Sequence, residues 1–169
     1  PKAEGALIDD AFIVLGAEAD RLYENGFYGK KIGPMLQLSL LEAVYLMEKG
    51  RLDIRSIRSG QRMGMNGLLS SAKRSQPDFD MRMSAYKDLR SRGMVVKTGF
   101  KYGTHFRGYE GNPSKHHSRY LVHVVPDDYS TVWAEISRAV RLAHGVKKEI
   151  LLASSGQLLR YVKLTRVRP

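Results

Sequence analysis

The sequence predicts an α/β (α+β) protein. A small mixed α/β N-terminal domain spans residues 1–78, and a C-terminal domain with a mixed β-sheet flanked by helices spans residues 79–169. Three observations carry this reading. Short apolar runs of strand length alternate, in mixed order, with amphipathic stretches of helical period. RYLVHVV (119–125) is apolar on both faces, as a strand in the middle of a sheet is. Pro77-Asp78 interrupts the chain between an Arg-, Ser- and Gly-rich segment and a more regular second half, which places the domain boundary there.

In chain order, FIVL (12–15) reads as a short strand that the preceding ALIDD can pair with. Ala17 to Asn25 reads as a helix closed by Gly26, and FYGKKIGP as a turn. Leu38 to Lys49 is the clearest helix of the first half. Ser39 and Glu42 form a capping box, Leu40, Leu41, Val44 and Met47 an apolar stripe, and Gly50 the stop. The polar stretch from Arg55 to Gln76 is expected to be helical in part. Phe79 to Arg92 is a helix with Phe79, Met83, Tyr86 and Leu89 inward and Gly93 at its end. MVVKTG and HFRGY are strands joined by a tight KYG turn, and RYLVHVV follows. After Pro126-Asp127-Asp128, Thr131 to His144 is an amphipathic helix. Val132, Trp133, Ile136, Ala139, Val140 and Ala143 are its expected buried face, Arg138 and Arg141 its outer one. EILLA and LLRYVKLTRV finish as strands, and no internal repeat or low-complexity tract is visible.

Composition narrows the function classes. The 28 Lys and Arg against 17 Asp and Glu leave a net charge of +11, which points to a polyanionic partner, since phosphate contacts supply most non-specific nucleic-acid affinity. With no cysteine, disulfides, zinc ribbons and thiol catalysis are excluded. No run approaches the ~20 apolar residues of a membrane span. Asp9 and Asp10 stand where a signal peptide would need its apolar core, so a cytoplasmic location is expected.

The chemistry-bearing residues concentrate between Lys101 and Lys148. Tyr109, the doublet His116-His117, and Lys148 lie on or beside short apolar strands. A hydroxyl, an imidazole and an ammonium group suffice to cleave RNA without a metal. Taken singly, each has a plain structural reading as core tyrosine, structural histidine or solvated lysine. Other motifs are weaker. Gly29-Lys30-Lys31 lacks phosphate-loop spacing. His105, His116, His117 and His123 have no carboxylate at a ligand-like spacing, so neither a zinc site nor any cofactor is expected. AYKDLRSRGMVVKTGFKYGTHF has the outline of a winged-helix DNA-binding module, with Arg90, Arg92 and Lys97 toward phosphates.

Several phrases occur together in order. Leu22-Tyr23 through Gly29 matches "LY..G.YG", and Leu38 to Leu46 matches "LSL.EA.YL". The stretch Tyr86 to Tyr109 matches "Y.DLR.RG..VK.G.K.G..FR.Y". His117 to Val124 matches "HS.YLVHV", and Arg141, Ala143, His144, Val146 and Lys148 match "R.AH.V.K". By these the chain resembles the archaeal tRNA-splicing (tRNA-intron) endonucleases over nearly its whole length, most weakly between Arg55 and Phe79. Tyr102 in place of a Phe and Gly145 in place of a common Ser are departures that remove no catalytic group.

The resemblance implies a C-terminal nuclease domain with Tyr109, His117 and Lys148 as catalytic triad and His116 a bystander. It implies metal-independent cleavage of intron-containing precursor tRNA at bulge-helix-bulge junctions, leaving 2′,3′-cyclic phosphate and 5′-hydroxyl ends. Arg141 and Arg166 match positions where the family's arginines sandwich a flipped bulge base. A histidine, with a reference pKa of ~6.5, suits protonation of the leaving oxygen, and a lysine suits the charged phosphorane. Tyrosine, at ~10, is the nominee for general base. The family assembles as tetramers or pseudo-tetramers in which an acidic loop of one unit enters a basic cleft of another. Here Ser154-Ser155-Gly156-Gln157 carries no acid, which implies the catalytic subunit of a heterotetramer with a non-identical structural paralogue. The apolar C-terminal strand offers an edge for self-association. The competing readings are a non-catalytic RNA-binding or structural subunit of the same complex, and the winged-helix module.

Overall fold

A computed structural model describes residues 2–8 and 11–167. The chain forms two compact units, Pro1–Asp80 and Met81–Pro169, each built on a five-stranded mixed sheet.

In the first unit β1 (Ala3–Ile8) and β2 (Ala11–Leu15) form the antiparallel pair expected from ALIDD and FIVL, with Leu7 opposite Phe12. Asp9 and Asp10 lie outside the described residues. The helix expected at 17–25 is α1 (Gly16–Glu24). FYGKKIGP is more than a turn. Lys30–Ile32 is an edge strand, β3, hairpinned onto β4 (Met35–Leu38), whose buried Leu36 and Leu38 alternate with outward residues. Leu38 therefore belongs to β4, and α2 (Leu40–Glu48) starts two residues later than expected. Its Ser39/Glu42 capping box is complete. The buried Glu42 carboxylate also accepts from Gly29 N–H at 2.8 Å, fastening the LYENGFYG phrase to this helix. Gly29 has φ +64°, and a Cβ there would stand 2.6 Å from the Gln37 carbonyl oxygen, so only glycine fits. The stripe of α2 is shifted: Leu41, Ala43, Val44 and Leu46 are buried, whereas Leu40 and Met47 are half-buried. The segment 55–76 continues β5 (Leu52–Ser56), parallel to β1, and contains α3 (Met65–Ser75). The strand order is β3-β4-β2-β1-β5.

The helix α4 (Phe79–Ser91), in whose first turn the units divide, buries Phe79, Met83, Tyr86 and Leu89 as its period requires. The second unit continues with β6 (Val95–Thr98), a 3₁₀ turn at Phe100–Tyr102, β7 (Phe106–Tyr109) and β8 (Tyr120–Pro126). Then α5 (Trp133–Gly145) crosses over to β9 (Glu149–Ser155), parallel to β8, and β10 (Leu159–Leu164) closes the edge of the order β10-β9-β8-β7-β6. As its two apolar faces require, β8 is the central strand.

Two expectations need correction here. The face assigned to α5 is not buried along its length. Trp133 is 81% exposed and Val132 lies open, while only Ala143 is fully enclosed. The helix meets the sheet through its C-terminal half, where Ala139 and Ala143 pack with Leu121 and Ile150. The stretch Ser154 to Gln157 is also half strand. Ser154 and Ser155 pair with Arg160 and Leu159, leaving Gly156–Leu158 as a tight acid-free turn.

Candidate functional site

Three adjacent strands present the candidate residues at one end of the second sheet. Tyr109 is the last residue of β7, His117 precedes the start of β8 by three positions, and Lys148 immediately precedes β9. Antiparallel pairing of β7 with β8 and parallel pairing of β8 with β9 bring these three ends together, with Gly108 opposite Tyr120 and Tyr120 opposite Glu149. Backbone bonds extend the register beyond the ladder. Arg119 N–H donates to the Gly108 carbonyl and Glu149 N–H to the Arg119 carbonyl, both at 2.9 Å.

Each side chain is held differently. Tyr109 is 7% exposed, lies on the face of Arg107 and Leu121, and has an Arg107 guanidinium 5.8 Å from its ring centre. Its hydroxyl has no partner among the described residues. Lys148 is half-buried, its stem beside Tyr102 with Nζ 5.8 Å from the ring centre. That Nζ donates to the carbonyl of Ser118 at 2.9 Å, and Ser118 is only 4% exposed. The ammonium is thereby fixed against the residue next to His117. The histidine itself is exposed, at the end of a turn organised by Asn112, whose side chain accepts from Ser114 N–H. Lys115 and His116 N–H both donate to the Asn112 carbonyl, so His116 belongs to the turn while His117 leads out of it.

Sequence reading missed the group that joins these segments. Arg119 donates to both carboxylate oxygens of Glu110 at 2.9 Å and from Nε to Glu149 at 3.1 Å, while the Tyr120 hydroxyl donates to Glu110. Glu110 follows Tyr109, and Glu149 follows Lys148. The Arg119 contact is the largest influence on the Glu110 carboxyl and holds it below its ordinary range. No local signal announces such a network, because its members are 9 and 30 residues apart.

The two arginines lie elsewhere. Arg141 and Arg166, both exposed, line one groove between α5 and the end of β10, together with Trp133, Val140 and Lys163. The histidines do not converge on a metal-binding arrangement: among the described residues no group of three His, Asp or Glu side chains comes close enough to hold an ion. His123 faces the α5 side, edge-on to His105 with ring centres 5.8 Å apart, and burial pushes its imidazole below the usual value. His105 Nδ1 accepts from Val124 N–H at 3.0 Å, a structural role. No described helix is long and apolar enough to cross a membrane.

The chain matches the tRNA intron endonuclease N-terminal domain over residues 3–69 and the tRNA intron endonuclease catalytic C-terminal domain over residues 79–159. It is similar to a tRNA-splicing endonuclease of Hyperthermus butylicus, 38% identical over 164 residues that cover 89% of this chain and 90% of that protein. TRNA-splicing endonucleases of Methanococcoides burtonii and Methanosarcina mazei are 43% identical over 156 residues and 42% over 173. Those alignments cover 89% and 99% of this chain but 44% and 49% of the relatives, so the chain spans about half their length. With both domain families in their order along the chain, and near end-to-end similarity to the Hyperthermus enzyme, this chain belongs to the tRNA-splicing endonuclease family.

Proposed function

We propose that the chain is the catalytic unit of an endoribonuclease that excises introns from precursor tRNA at bulge-helix-bulge junctions. Cleavage is a metal-independent transesterification. The observation that carries this reading is the convergence of Tyr109, the His117 segment and Lys148 on three adjacent strand ends, with Lys148 Nζ bound to the carbonyl beside His117. The ribose 2′-oxygen attacks the neighbouring phosphorus as its proton passes to the oxygen of Tyr109, which acts in its phenolate form. Lys148 balances the charge on the phosphorane oxygens. The bond from phosphorus to the 5′-oxygen breaks as His117 protonates that oxygen. A 2′,3′-cyclic phosphate and a 5′-hydroxyl remain. Arg141 and Arg166, on their shared groove, stack on an extruded bulge base.

The active assembly is a heterotetramer that pairs this unit with a non-identical one. The three-residue turn after β9 has no acid to insert into a neighbour's basic cleft, and the net charge of +11 leaves such a cleft unneutralised. β10 is an edge strand that carries the exposed Val162, with the exposed Leu158 just before it, which supports self-association along that edge. The test is cleavage of an intron-bearing tRNA in EDTA by the purified chain, with and without the co-purified partner, alongside sedimentation. Full activity is expected only with the partner. A fully active homotetramer refutes the heteromeric assignment, and a magnesium requirement in the chemical step refutes the mechanism.

A further inference from the structure

The helix α5 ends in a Schellman-type turn. Lys148 N–H reaches back to the Ala143 carbonyl at 2.8 Å, and Lys147 N–H to the His144 carbonyl at 3.1 Å. The left-handed position of such a turn favours glycine, because a Cβ there crowds the backbone. Here it is occupied by Lys147, with φ +56°. Phe27 is the one other non-glycine residue with positive φ among the described residues. Glycine stands two positions earlier instead, at Gly145, where φ is ordinary and a Cβ would meet nothing within 4 Å. The chain thus keeps a lysine where glycine would relieve strain, and strain retained against an easy remedy accompanies functional sites.

The surroundings indicate what the lysine serves. Lys147 lines a cleft with Arg119, His144, Gly145, Lys148 and Glu149. The Arg119 guanidinium is engaged by Glu110 and Glu149, and Lys148 Nζ by the Ser118 carbonyl. Glu149 is also approached by Lys163 at 3.4 Å. Lys147 is exposed and forms no ion pair among the described residues. The cleft's uncommitted cation therefore sits one residue from the group assigned to the scissile phosphate. A point charge on a flexible stem suits a backbone phosphate, which needs no planar fork.

We propose that the turn from α5 to β9 is a subsite for the backbone phosphate adjoining the scissile one, with Lys147 as its contact. The proposal rests on the endonuclease reading above. It is tested with the full chain, in whatever assembly it purifies, carrying Lys147→Gly, Lys147→Asn or Lys147→Arg. Binding is measured to a bulge-helix-bulge RNA made uncleavable by a 2′-deoxyribose at the junction, across a salt series, beside thermal melting and sedimentation. The Gly variant should melt higher than wild type yet bind several-fold more weakly. Its slope of log affinity against log salt should be shallower by about 0.7–0.9, the signature of one lost phosphate contact. Asn should share the weaker binding, and Arg should restore both affinity and slope. A Gly variant that melts no higher, or binds with wild-type affinity and slope, overturns the proposal. Unchanged RNA binding with a smaller sedimenting assembly overturns it in favour of a subunit contact. If the wild-type protein neither binds the bulged RNA nor cleaves its all-ribose form, the endonuclease reading itself falls, and this proposal with it.

Discussion

Replacing Lys148 by methionine separates its chemical role from its structural one. Methionine keeps an unbranched stem beside Tyr102 but deletes the ammonium that donates to the Ser118 carbonyl at 2.9 Å. A hydrogen bond from a charged donor is worth about 1.5–3 kcal/mol, and the half-exposed setting of this one brings the expected loss to about 1 kcal/mol. In a unit of this size that lowers the melting midpoint by about 4–8 °C. With a native stability of about 5–15 kcal/mol, such a loss leaves the protein almost wholly folded at 25 °C, so a purely structural lysine predicts no change in rate. If Lys148 balances phosphorane charge, the single-turnover rate at saturating enzyme falls by about 10²–10³, equivalent to about 2.7–4 kcal/mol. Rapid-quench cleavage of a bulge-helix-bulge RNA, with circular dichroism melting of the same preparation, measures both. A folded Lys148→Met protein that cleaves within threefold of wild type refutes the assignment.

His117→Ala should lower the single-turnover rate by about 10²–10⁴, whereas His116→Ala, at a residue whose amide closes the Asn112 turn, should be mild; the reverse ranking in the same assay would shift the site by one residue. Arg141→Lys and Arg166→Lys retain charge but lose the stacking plane, so each should weaken binding by about 1–3 kcal/mol in a filter-binding titration, and full affinity in both removes the stacking role. Burial of His123 lowers its folded-state pKa, so the unfolded chain binds a proton first. This contribution to stability is fully present above pH ~6.5 and is lost as pH falls from there toward the lowered folded value. Denaturant titrations at pH 7.5, 6 and 5 should show that loss reduced in His123→Phe, and an identical pH slope in both proteins contradicts it.

The sequence signals that proved legible are those in which a local pattern determines a local structure. Ser39 and Glu42 predicted a capping box because its two hydrogen bonds lie within one turn, and the spacing of Phe79, Met83, Tyr86 and Leu89 predicted the buried face of α4. RYLVHVV was readable as a central strand because apolar residues on both faces need cover above and below the sheet, which is most complete in its middle. Short strands were harder. β3 and β4 are three and four residues long, beside Gly29 and Gly33-Pro34, so two alternating leucines did not outweigh the turn residues. The apolar stripe of α5 showed an amphipathic helix but not what covers it, and Trp133 remains exposed in the chain by itself. At the site, Tyr109, His117 and Lys148 stood out through phrases shared with a known family. The Glu110–Arg119–Glu149 network that ties their strands together required the sheet register, since pairing of β7, β8 and β9 alone makes those residues neighbours.

In the proposed reaction the substrate's own ribose supplies the nucleophile. The most direct measurement replaces the single 2′-hydroxyl preceding the scissile phosphate by hydrogen in a bulge-helix-bulge RNA, and follows binding and cleavage in EDTA by the assembled protein. The substituted RNA should bind as the unmodified one does and remain uncut at that junction, while the unmodified RNA yields a 2′,3′-cyclic phosphate and a 5′-hydroxyl. Cleavage of the 2′-deoxy junction at a comparable rate, or a 3′-hydroxyl end from the natural one, would show that water attacks instead and would contradict the account.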